Sequence, residues 1–424
     1  MERSTRQSTT SSHATNPATT PNPTATNPTA NPASLELPDT HASNASARTD
    51  NSTHSGAIGR RQFLAGSAGL AIAGFVGLAG LGGLLAACSD TGGSANADPG
   101  ADDGAAPAAT DTAAADTSPI TFVFLPDASS ADMSASREAV SEGIKAASGR
   151  DAEIMTTTDY NVAIEALASG SAGMALLGAE GYVQANRKNP SVQACFTNSD
   201  ENGTLDEACY YSRICVRTED AEAYKQGSSY TLTPLEGKSF SFVSATSTSG
   251  FKVPSAKIVA EFGLESNELL LENGSFFSSV LLGGSHQGSV VNLLNGDADA
   301  AAFDDIDVDM YLTLISGEKN MPGAVYAVRD DADEPFTDVH GKQFTIIAST
   351  PVLNAPFCFN EDVVDQASRD AIVAYFCSEA IAGDERIFSD PSDESAHALF
   401  VRDTPETCLL PVDDAWYEPI RKMG

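Results

Sequence analysis

Basic residues are scarce in this chain of 424 residues, which has 24 Lys and Arg against 58 Asp and Glu. Nucleic-acid binding is therefore disfavoured, because it needs a patch of clustered positive charge. Histidine is also rare, with six residues, and none of the seven cysteines has the Cys-x-x-Cys spacing typical of zinc sites. The sequence thus predicts neither a metal site nor a cofactor.

A hydrolase signature is missing as well. The chain has no Gly-x-Ser-x-Gly elbow, the turn that presents the nucleophilic serine of α/β hydrolases. Ser249, His286 and Asp304 could be drawn as a catalytic triad, yet serines that only donate hydrogen bonds need no base. We therefore expect a binding protein without catalytic residues rather than an enzyme.

The beginning of the chain predicts no globular domain. Residues 1–58 consist mainly of Ser, Thr, Asn, Pro and Ala. Such a composition buries too little apolar surface to offset the entropy lost on ordering, so we expect this segment to be disordered. Residues 89–119 are rich in Ala, Gly, Asp, Thr and Pro, a composition that predicts a flexible acidic tether.

Residues 59–88 have a different character. Arg60-Arg61 precede an uncharged run from Leu64 to Ala87, which ends at Cys88. The run is long enough for a transmembrane anchor, but its many Gly and Ala residues make it weakly hydrophobic, and small residues before a cysteine fit a cleavage site. The segment resembles a twin-arginine export signal joined to a lipoprotein box, which implies a lipid on Cys88. With either interpretation the remainder lies outside the cytoplasmic membrane.

Residues 120–424 are enough for two lobes with a cleft between them. Predicted strands alternate with predicted helices, which indicates an α/β fold with mainly parallel sheets. The predicted strands are Ile120–Leu125, Glu153–Met155, Ala172–Leu177, Tyr210–Val216, Phe240–Val243, Ala298–Phe303, Phe344–Ala348 and Leu409–Val412. The predicted helices are Ser134–Ala147, Tyr160–Ala168, Gly181–Arg187, Phe251–Phe262, Ser289–Leu294 and Asp362–Ala382.

A hydroxyl-rich segment, Ser244–Gly250, lies between a predicted strand and a predicted helix. A helix start offers N–H groups without intrahelical partners and the positive end of the macrodipole. Ser247, Thr248 and Ser249 add three hydroxyls there, so the segment favours a site for a tetrahedral oxyanion. The plainer alternative is an ordinary N-cap, for which one hydroxyl suffices.

Other polar residues lie at predicted strand ends or helix starts, namely Tyr160, Tyr210, His286 and Asp304. Ligands of open α/β sheets bind beyond the carboxyl ends of the strands, so we expect these residues to converge on one cleft. Each also has an ordinary explanation: core packing for Tyr160, a cap or surface position for His286, and a turn for Asp304.

Seven segments of residues 120–424 follow one family pattern. They are Thr158-Asp159-Tyr160, Tyr210-x-Ser212-x-Ile214-x-Val216, Ser247-Thr248-Ser249-Gly250, Gly284-Ser285-His286, Asn295-Gly296-Asp297-x-Asp299-Ala300, Asp304-Asp305 and Val412-Asp413-Asp414-x-x-Tyr417-x-Pro419-Ile420. In them the chain resembles the PhnD-like phosphonate-, phosphite- and phosphate-binding proteins of ABC importers. The resemblance implies a periplasmic-binding-protein type II fold, with two α/β lobes joined by hinge strands around a ligand cleft. Lobe 1 would comprise about 120–212 plus 350–424, and lobe 2 about 213–349.

The resemblance also implies a function. The chain would be the extracytoplasmic, lipid-anchored, monomeric component of an ABC importer, delivering a small phosphorus oxyanion to a permease and its ATPase. Ser247, Thr248 and Ser249 would hold the phosphoryl oxygens, His286 would donate to another oxygen, Tyr160 and Tyr210 would line the cleft, and Asp304 would accept from a protonated ligand oxygen. A binding protein of the same fold for a sulfonate or a pyrimidine, or a ligand sensor, remains an alternative.

The chain departs from the family pattern in several places. Thr197–Ala208 is long and acidic, and Gly317–Lys342 carries extra charge. Cys209 adjoins Tyr210, and Arg213 stands where an apolar residue is usual. These differences leave open the substituent on the phosphorus rather than the oxyanion site.

Six cysteines remain besides Cys88, an even number: Cys195, Cys209, Cys215, Cys358, Cys377 and Cys408. Disulfides are possible outside the cytoplasm. Buried free thiols are an equally good expectation, because cysteine also behaves as a small apolar core residue. The sequence leaves the choice open.

Overall fold

The computed structural model describes residues 117–129, 133–390 and 397–423. The predicted disordered segment 1–58, the predicted signal 59–88 with Cys88, and nearly all of the predicted tether lie outside the described residues. Within the described part, no helix is both long enough and apolar enough to cross a membrane.

Strands and helices alternate along most of the described chain. The α-helices are α1 Ser134–Ser148, α2 Tyr160–Ser169, α3 Ala179–Lys188, α4 Val253–Phe262, α5 His286–Asn295, α6 Gln366–Phe376, α7 Glu379–Ala382 and α8 Glu418–Arg421. The strands are β1 Ile120–Phe124, β2 Ala152–Thr156, β3 Met174–Leu176, β4 Val192–Asn198, β5 Cys209–Arg217, β6 Lys225–Gln226, β7 Ser229–Tyr230, β8 Ser239–Phe242, β9 Ser279–Leu282, β10 Ala300–Asp304, β11 Leu312–Ser316, β12 Val325–Val328, β13 Gln343–Leu353, β14 Phe357–Asn360, β15 Phe388–Ser389, β16 Phe400–Val401 and β17 Leu409–Pro411.

The two large sheets are mixed. The first has six strands in the order β17-β4-β14-β3-β1-β2, in which β1 is parallel to β2 and β3 while β14 and β17 run antiparallel to their neighbours. The second has seven strands in the order β11-β12-β13-β5-β10-β8-β9, in which β8 is parallel to β9 and β10 and the other pairs are antiparallel. The prediction of mainly parallel sheets is therefore wrong. Antiparallel strands that the sequence did not reveal, such as β4, β12 and β14, complete both sheets.

Each sheet buries apolar side chains on both faces, because neighbouring residues of a strand point to opposite sides. In β1, Phe122 and Phe124 join one core cluster and Val123 joins another. In β10, Ala302 belongs to one core cluster and Phe303 to another. We call the first sheet with α1–α3 and α6–α8 the first lobe, and the second sheet with α4 and α5 the second lobe.

The predicted helix Asp362–Ala382 is wrong as a single element. Helix α6 begins after Asp365, whose side chain accepts the N–H of Ser368 and so caps the helix start. It ends at Phe376, and α7 begins separately after Ser378. The helix therefore begins later than predicted, because Asp365 caps its start. It is also divided in two by a break after Phe376.

Between β4 and β14 the chain passes from one sheet to the other twice, at residues 199–208 and at residues 354–356. The resemblance implied lobe limits near residues 212 and 350, inside the segments 209–217 and 344–353. These residues instead pair with each other as β5 and β13 of the second sheet, from Cys209 opposite Leu353 to Arg217 opposite Phe344. The β5–β13 pair therefore adjoins both crossings.

The six described cysteines are thiols in this structure. Burial raises the pKa of Cys209 to about 11 and that of Cys377 to about 12. A raised pKa keeps the thiol protonated and unreactive. Cys215 and Cys358 are buried, whereas the other four thiols are partly exposed.

Candidate functional site

A cavity of about 80 Å³ lies between the two lobes. At roughly 10–15 Å³ for each water, it has room for a small ligand. Its lining includes every predicted site residue: Tyr160, Tyr210, Ser247, Thr248, Ser249, His286 and Asp304. All of these side chains are buried. The structure thus brings them together, while their roles toward a ligand stay a prediction.

The hydroxyl-rich segment makes a close turn from β8 into α4. Thr248–Lys252 form a π-helical turn at the helix start. The Ser247 hydroxyl caps this turn by accepting the N–H of Gly250 at 3.0 Å. Only glycine fits at position 250, because a Cβ there would lie 2.3 Å from Cγ2 of Val243. π-turns of this kind are frequent at functional sites.

The hydroxyls of Thr248 and Ser249 reach beyond the segment. Oγ1 of Thr248 accepts the backbone N–H of Glu180, in the first lobe, at 2.9 Å. The Ser249 hydroxyl donates to Oδ2 of Asp304 at 3.1 Å and accepts from the Tyr210 hydroxyl at 3.2 Å. The segment therefore does more than cap a helix, because the hydroxyls of Thr248 and Ser249 connect separate elements around the cavity.

Asp304, the last residue of β10, is held by His286. Its backbone N–H donates to Nδ1 of His286 at 2.9 Å, and Nε2 of the ring lies 3.2 Å from Oδ2 of Asp304. Because Nδ1 accepts, the proton of the neutral ring is on Nε2, facing the carboxylate. The resemblance implied that His286 donates to a ligand oxygen. In this structure both ring nitrogens face Asp304 instead.

The pKa of Asp304 is raised well above its usual range. The main cause is burial, which takes the carboxylate out of water, and the charges of Asp305 and Asp127 raise it further. The hydrogen bond from Ser249 acts in the opposite direction. The site therefore favours a protonated Asp304 carboxyl group, or a carboxylate that accepts a proton from a ligand.

Asp127 is a cavity residue that the sequence analysis missed. Its Oδ1 accepts the N–H of His286, the first residue of α5, at 2.7 Å, and its Oδ2 accepts from the Tyr160 hydroxyl. A carboxylate of the first lobe thus satisfies a helix start of the second lobe, where negative charge is stabilised. The only available signal was its position just after a predicted strand.

Asp307 brings a third carboxylate to the cavity. Its N–H donates to Oδ1 of Asp304 at 3.1 Å, and burial, followed by the charges of Asp304 and Asp127, raises its pKa. Asp127, His286 and Asp307 each place one potential ligand atom within 4.8 Å of the others. These are the described residues that could hold a cation, although Asp127 already has two protein donors.

A buried arginine fixes the loop that follows Asp304. Arg213 is fully buried, and its guanidinium donates to both carboxylate oxygens of Asp309, at 2.6 and 3.0 Å. It also donates to Oδ1 of Asn320 at 2.7 Å and lies 4.8 Å from the ring centre of Tyr326. Asn320 in turn donates to Asp305 at 2.7 Å. The departure from the family pattern at position 213 is therefore a structural network beside the site.

The two lobes meet closely at the start of α3. Gly178 lies so near the second lobe that a Cβ there would be 2.8 Å from Oγ1 of Thr248. Nζ of Lys252 lies 3.9 Å from Oε2 of Glu180, and both side chains are buried. Together with the bond from His286 to Asp127, these contacts join the two lobes beside the cavity.

Comparison with known proteins identifies a family and a relative. Residues 122–417 match the model of a family described as ABC transporter, phosphonate, periplasmic substrate-binding protein. The phosphate-import protein PhnD of Mycolicibacterium smegmatis is 24% identical over 305 residues, which cover 72% of this chain and 84% of that protein.

Two solved structures show the same fold. A binding protein component of an ABC phosphonate transporter from Pseudomonas aeruginosa has a TM-score of 0.51 at 14% identity, covering 73% of this chain and 86% of that chain. PhnD1 from Prochlorococcus marinus, in complex with methylphosphonate, has a TM-score of 0.51 at 14% identity, covering 73% of this chain and 97% of that chain. At such identities they show the fold alone, and the predicted periplasmic-binding-protein type II fold is confirmed.

The family match covers well over half of the chain, and the two-lobed α/β architecture agrees with it. The family is one of substrate-binding transport proteins rather than enzymes, and its periplasmic character implies an extracytoplasmic location. The chain belongs to the phosphonate-type periplasmic substrate-binding proteins of ABC transporters.

Proposed function

We propose that this chain binds a small phosphorus oxyanion, a phosphonate, phosphite or phosphate, and delivers it to a permease and its ATPase. One observation carries the proposal: a helix-start loop of hydroxyls, Ser247–Ser249, and a buried carboxyl group, Asp304, line the same cavity. The name of the M. smegmatis relative and the ligand of the P. marinus structure support this ligand class.

The loop supplies the donors. Hydroxyl groups and N–H groups at a helix start bind tetrahedral anions through charge-assisted hydrogen bonds, which are stronger than neutral ones. Thr248 and Ser249 now use their hydroxyls within the protein, and a bound oxyanion would become the new acceptor. Tyr160 and Tyr210 close the sides of the cavity.

Asp304 selects the protonation state of the ligand. A carboxylate repels a dianion but accepts a hydrogen bond from a P–OH group. Sulfate has no such proton near neutral pH, so it would leave Asp304 buried without a donor from the ligand, which is unfavourable. His286 positions Asp304 for this contact.

The geometry gives no support to a hydrolase. A catalytic triad needs the histidine between the serine and the aspartate, so that the ring can take the serine proton. Here the Ser249 hydroxyl donates directly to Asp304, and the ring nitrogens of His286 both face Asp304. We therefore infer a binding protein that works by lobe closure, with no chemical step.

The sequence supports export and anchoring. We infer that the twin-arginine segment directs secretion, that Cys88 carries the lipid, and that the protein acts as a monomer tethered to the membrane. Metabolic labelling with a fatty-acid analogue tests the anchor: the wild-type chain should incorporate the label, and Cys88→Ala should not. Equal labelling of both would refute the lipoprotein assignment.

A ligand panel tests the proposed function directly. The thermal unfolding midpoint of the full chain should be measured in the presence of phosphate, phosphite, methylphosphonate, sulfate and taurine. Each ligand should also be titrated by calorimetry. A ligand at a hundred times its dissociation constant adds about 2.7 kcal/mol to the free energy of unfolding. We expect a raised midpoint with at least one phosphorus compound and none with sulfate. A response to taurine or to none of the panel would favour another solute or a sensor role.

A further inference from the structure

A carboxylate of the protein itself occupies two hydrogen-bond donors of the cavity. Oδ1 of Asp127 accepts the N–H of His286 at 2.7 Å, and Oδ2 accepts from the Tyr160 hydroxyl. All three residues are buried and line the cavity. A hydroxyl group and an N–H group at a helix start are the kind of donors that bind an oxyanion. Asp127 therefore takes up donors that a ligand of this class would use.

Helix α5 does not need Asp127 as a cap. The hydroxyl of Ser285, the residue before the helix, accepts the N–H of Gly288 at 3.0 Å, which is an ordinary N-cap. Helix α2 is capped by Asp159, which accepts the N–H of Asn161 at 2.7 Å. The bonds to Asp127 are additional to these caps. Its carboxylate lies at the start of α5, where the macrodipole stabilises any anion.

The charges of the cavity indicate that Asp127 and an anionic ligand exclude each other. Among the described residues that line the cavity, three are aspartates, namely Asp127, Asp304 and Asp307, and none is Lys or Arg. An anion added beside three carboxyl groups would meet strong repulsion, because charges are weakly screened in a protein interior. Exchange of one anion for another avoids this cost, since the total charge of the cavity then changes little.

From these contacts we propose that Asp127 is an internal competitor of the ligand. Its carboxylate holds the donors of Tyr160 and His286, and the phosphorus oxyanion binds by displacing it from them. Asp127 thereby sets the affinity, because the apparent affinity is the intrinsic affinity multiplied by the fraction of molecules in which these donors are free. This inference rests on the proposed binding of a phosphorus oxyanion in the cavity.

Two substitutions and a control measure the competition. The full chain and its variants Asp127→Asn and Asp127→Ala are titrated calorimetrically with phosphate, phosphite and methylphosphonate. Both variants should bind the compound that the wild type binds at least about tenfold more tightly, because hydrogen bonds to a charged acceptor are lost from the competing state. Asp159→Asn is the control. It removes the same charge from an exposed cap beside Tyr160 and should change the affinity by less than about twofold.

Formate shows where the competition takes place. Asp127→Ala removes a carboxylate group of the size of formate. Added formate should therefore occupy the vacated position in this variant, raise its thermal unfolding midpoint and weaken its binding of the phosphorus compound competitively. The wild type, measured at the same ionic strength, should show neither effect, because its own carboxylate holds the position.

The outcomes separate the inference from the proposed function. Equal or weaker affinity in both Asp127 variants would overturn the inference, because Asp127 would then support the ligand rather than compete with it. Formate that leaves binding to Asp127→Ala unchanged would also overturn it. In either case the wild type still binds and the oxyanion function stands. Failure of the wild type and all variants to bind any phosphorus compound would overturn both.

Discussion

Asp304 and Asp305 are neighbours at the end of one strand, yet their surroundings are opposite. Asp305 accepts from Asn320 in a network built on Arg213, a permanent cation that is fully buried. Asp304 accepts from the rotatable hydroxyl of Ser249 and faces the cavity. Because successive residues of a strand point to opposite sides, one step in sequence separates a structural carboxylate from a site carboxylate.

The difference shows how burial of an acid can serve two purposes. Where a fixed cation and an amide supply the partners, removing one leaves an uncompensated charge and costs stability. Where the partners are hydroxyls and an imidazole, the carboxyl group can exchange them for a ligand. Substitutions in the Arg213 network should therefore change unfolding, and substitutions around Asp304 should change binding.

The largest effect is expected from Arg213→Met, which removes the cation of the structural network. The buried Asp305 would lose the nearby positive charge that favours its carboxylate, and the buried Asn320 would lose its guanidinium donor. The free energy of unfolding should therefore fall by about 3–5 kcal/mol. Urea unfolding of the full chain measures it. Arg386→Met is the control, because Arg386 pairs with Asp384 and Glu142 near the surface and should cost less than about 1 kcal/mol. Equal losses in both variants would contradict the distinction.

Ser249→Ala should act on binding. It removes a hydroxyl that, in the proposed complex, donates a hydrogen bond to the charged oxyanion. The binding free energy should weaken by about 1.5–3 kcal/mol, which raises the dissociation constant roughly 10- to 150-fold. Calorimetry with methylphosphonate and phosphate gives the value. Ser244→Ala is the matched control, because its hydroxyl bonds only within the loop, to Thr246. Unchanged affinity in Ser249→Ala would remove the loop from the site.

Asp304→Asn should change how stability depends on pH. Since the native pKa of Asp304 lies above the unfolded value of 3.8, the native state binds a proton that the unfolded state has released, and stability is lost as pH rises through this range. The variant should therefore gain stability relative to the wild type from about pH 4 upward.

Asp365→Asn is the control, because it should change the pH dependence of stability in the opposite direction. The hydrogen bonds from Ser368 lower the pKa of Asp365, so its carboxylate contributes stability that is lost as pH falls below the usual range. The free energy of unfolding of this variant should therefore become lower than that of the wild type as pH rises. Urea unfolding at a series of pH values measures both variants, and parallel curves for wild type and Asp304→Asn would refute the raised pKa.

The smallest effect is expected from Gly178→Ala, which touches neither aspartate. The added Cβ would press on Thr248 and so disfavour the closed lobes, weakening binding several-fold with little change in unfolding. Gly181→Ala, also at the start of α3, has room for its Cβ, with the nearest atom at 3.6 Å. Small-angle scattering should show a larger radius for the first variant. Identical affinity in the two would show that this contact does not limit closure.

Much of the site was predictable because its residues lie at the ends of strands and starts of helices, which local pattern reveals. Tyr160 begins α2 and Asp304 ends β10, as the periodicity indicated, whereas α5 begins at His286, three residues before the predicted start at Ser289. The hydroxyl segment was also correctly placed between a strand and a helix. What the pattern could not give was the partner of each hydroxyl.

The missed features depend on contacts far apart in sequence. Asp127 bonds to a residue 159 positions away, and nothing near Asp127 distinguishes it from an ordinary turn residue. Short buried strands such as β14, Phe357–Asn360, show no alternation because both faces are covered. The Arg213 network was visible only as an unusual residue, because its partners Asp309 and Asn320 come from a later loop.

The two cavity walls come from different stretches of the chain, and this separation has an evolutionary consequence. The second-lobe wall, with the hydroxyl loop, His286 and Asp304, comes mainly from residues 210–304, whereas part of the first-lobe wall is formed around Leu176 and Leu399. Mutations can therefore accumulate at one wall while selection preserves the other. A lineage carrying this scaffold can change the first-lobe wall without altering the hydroxyl loop on the opposite side.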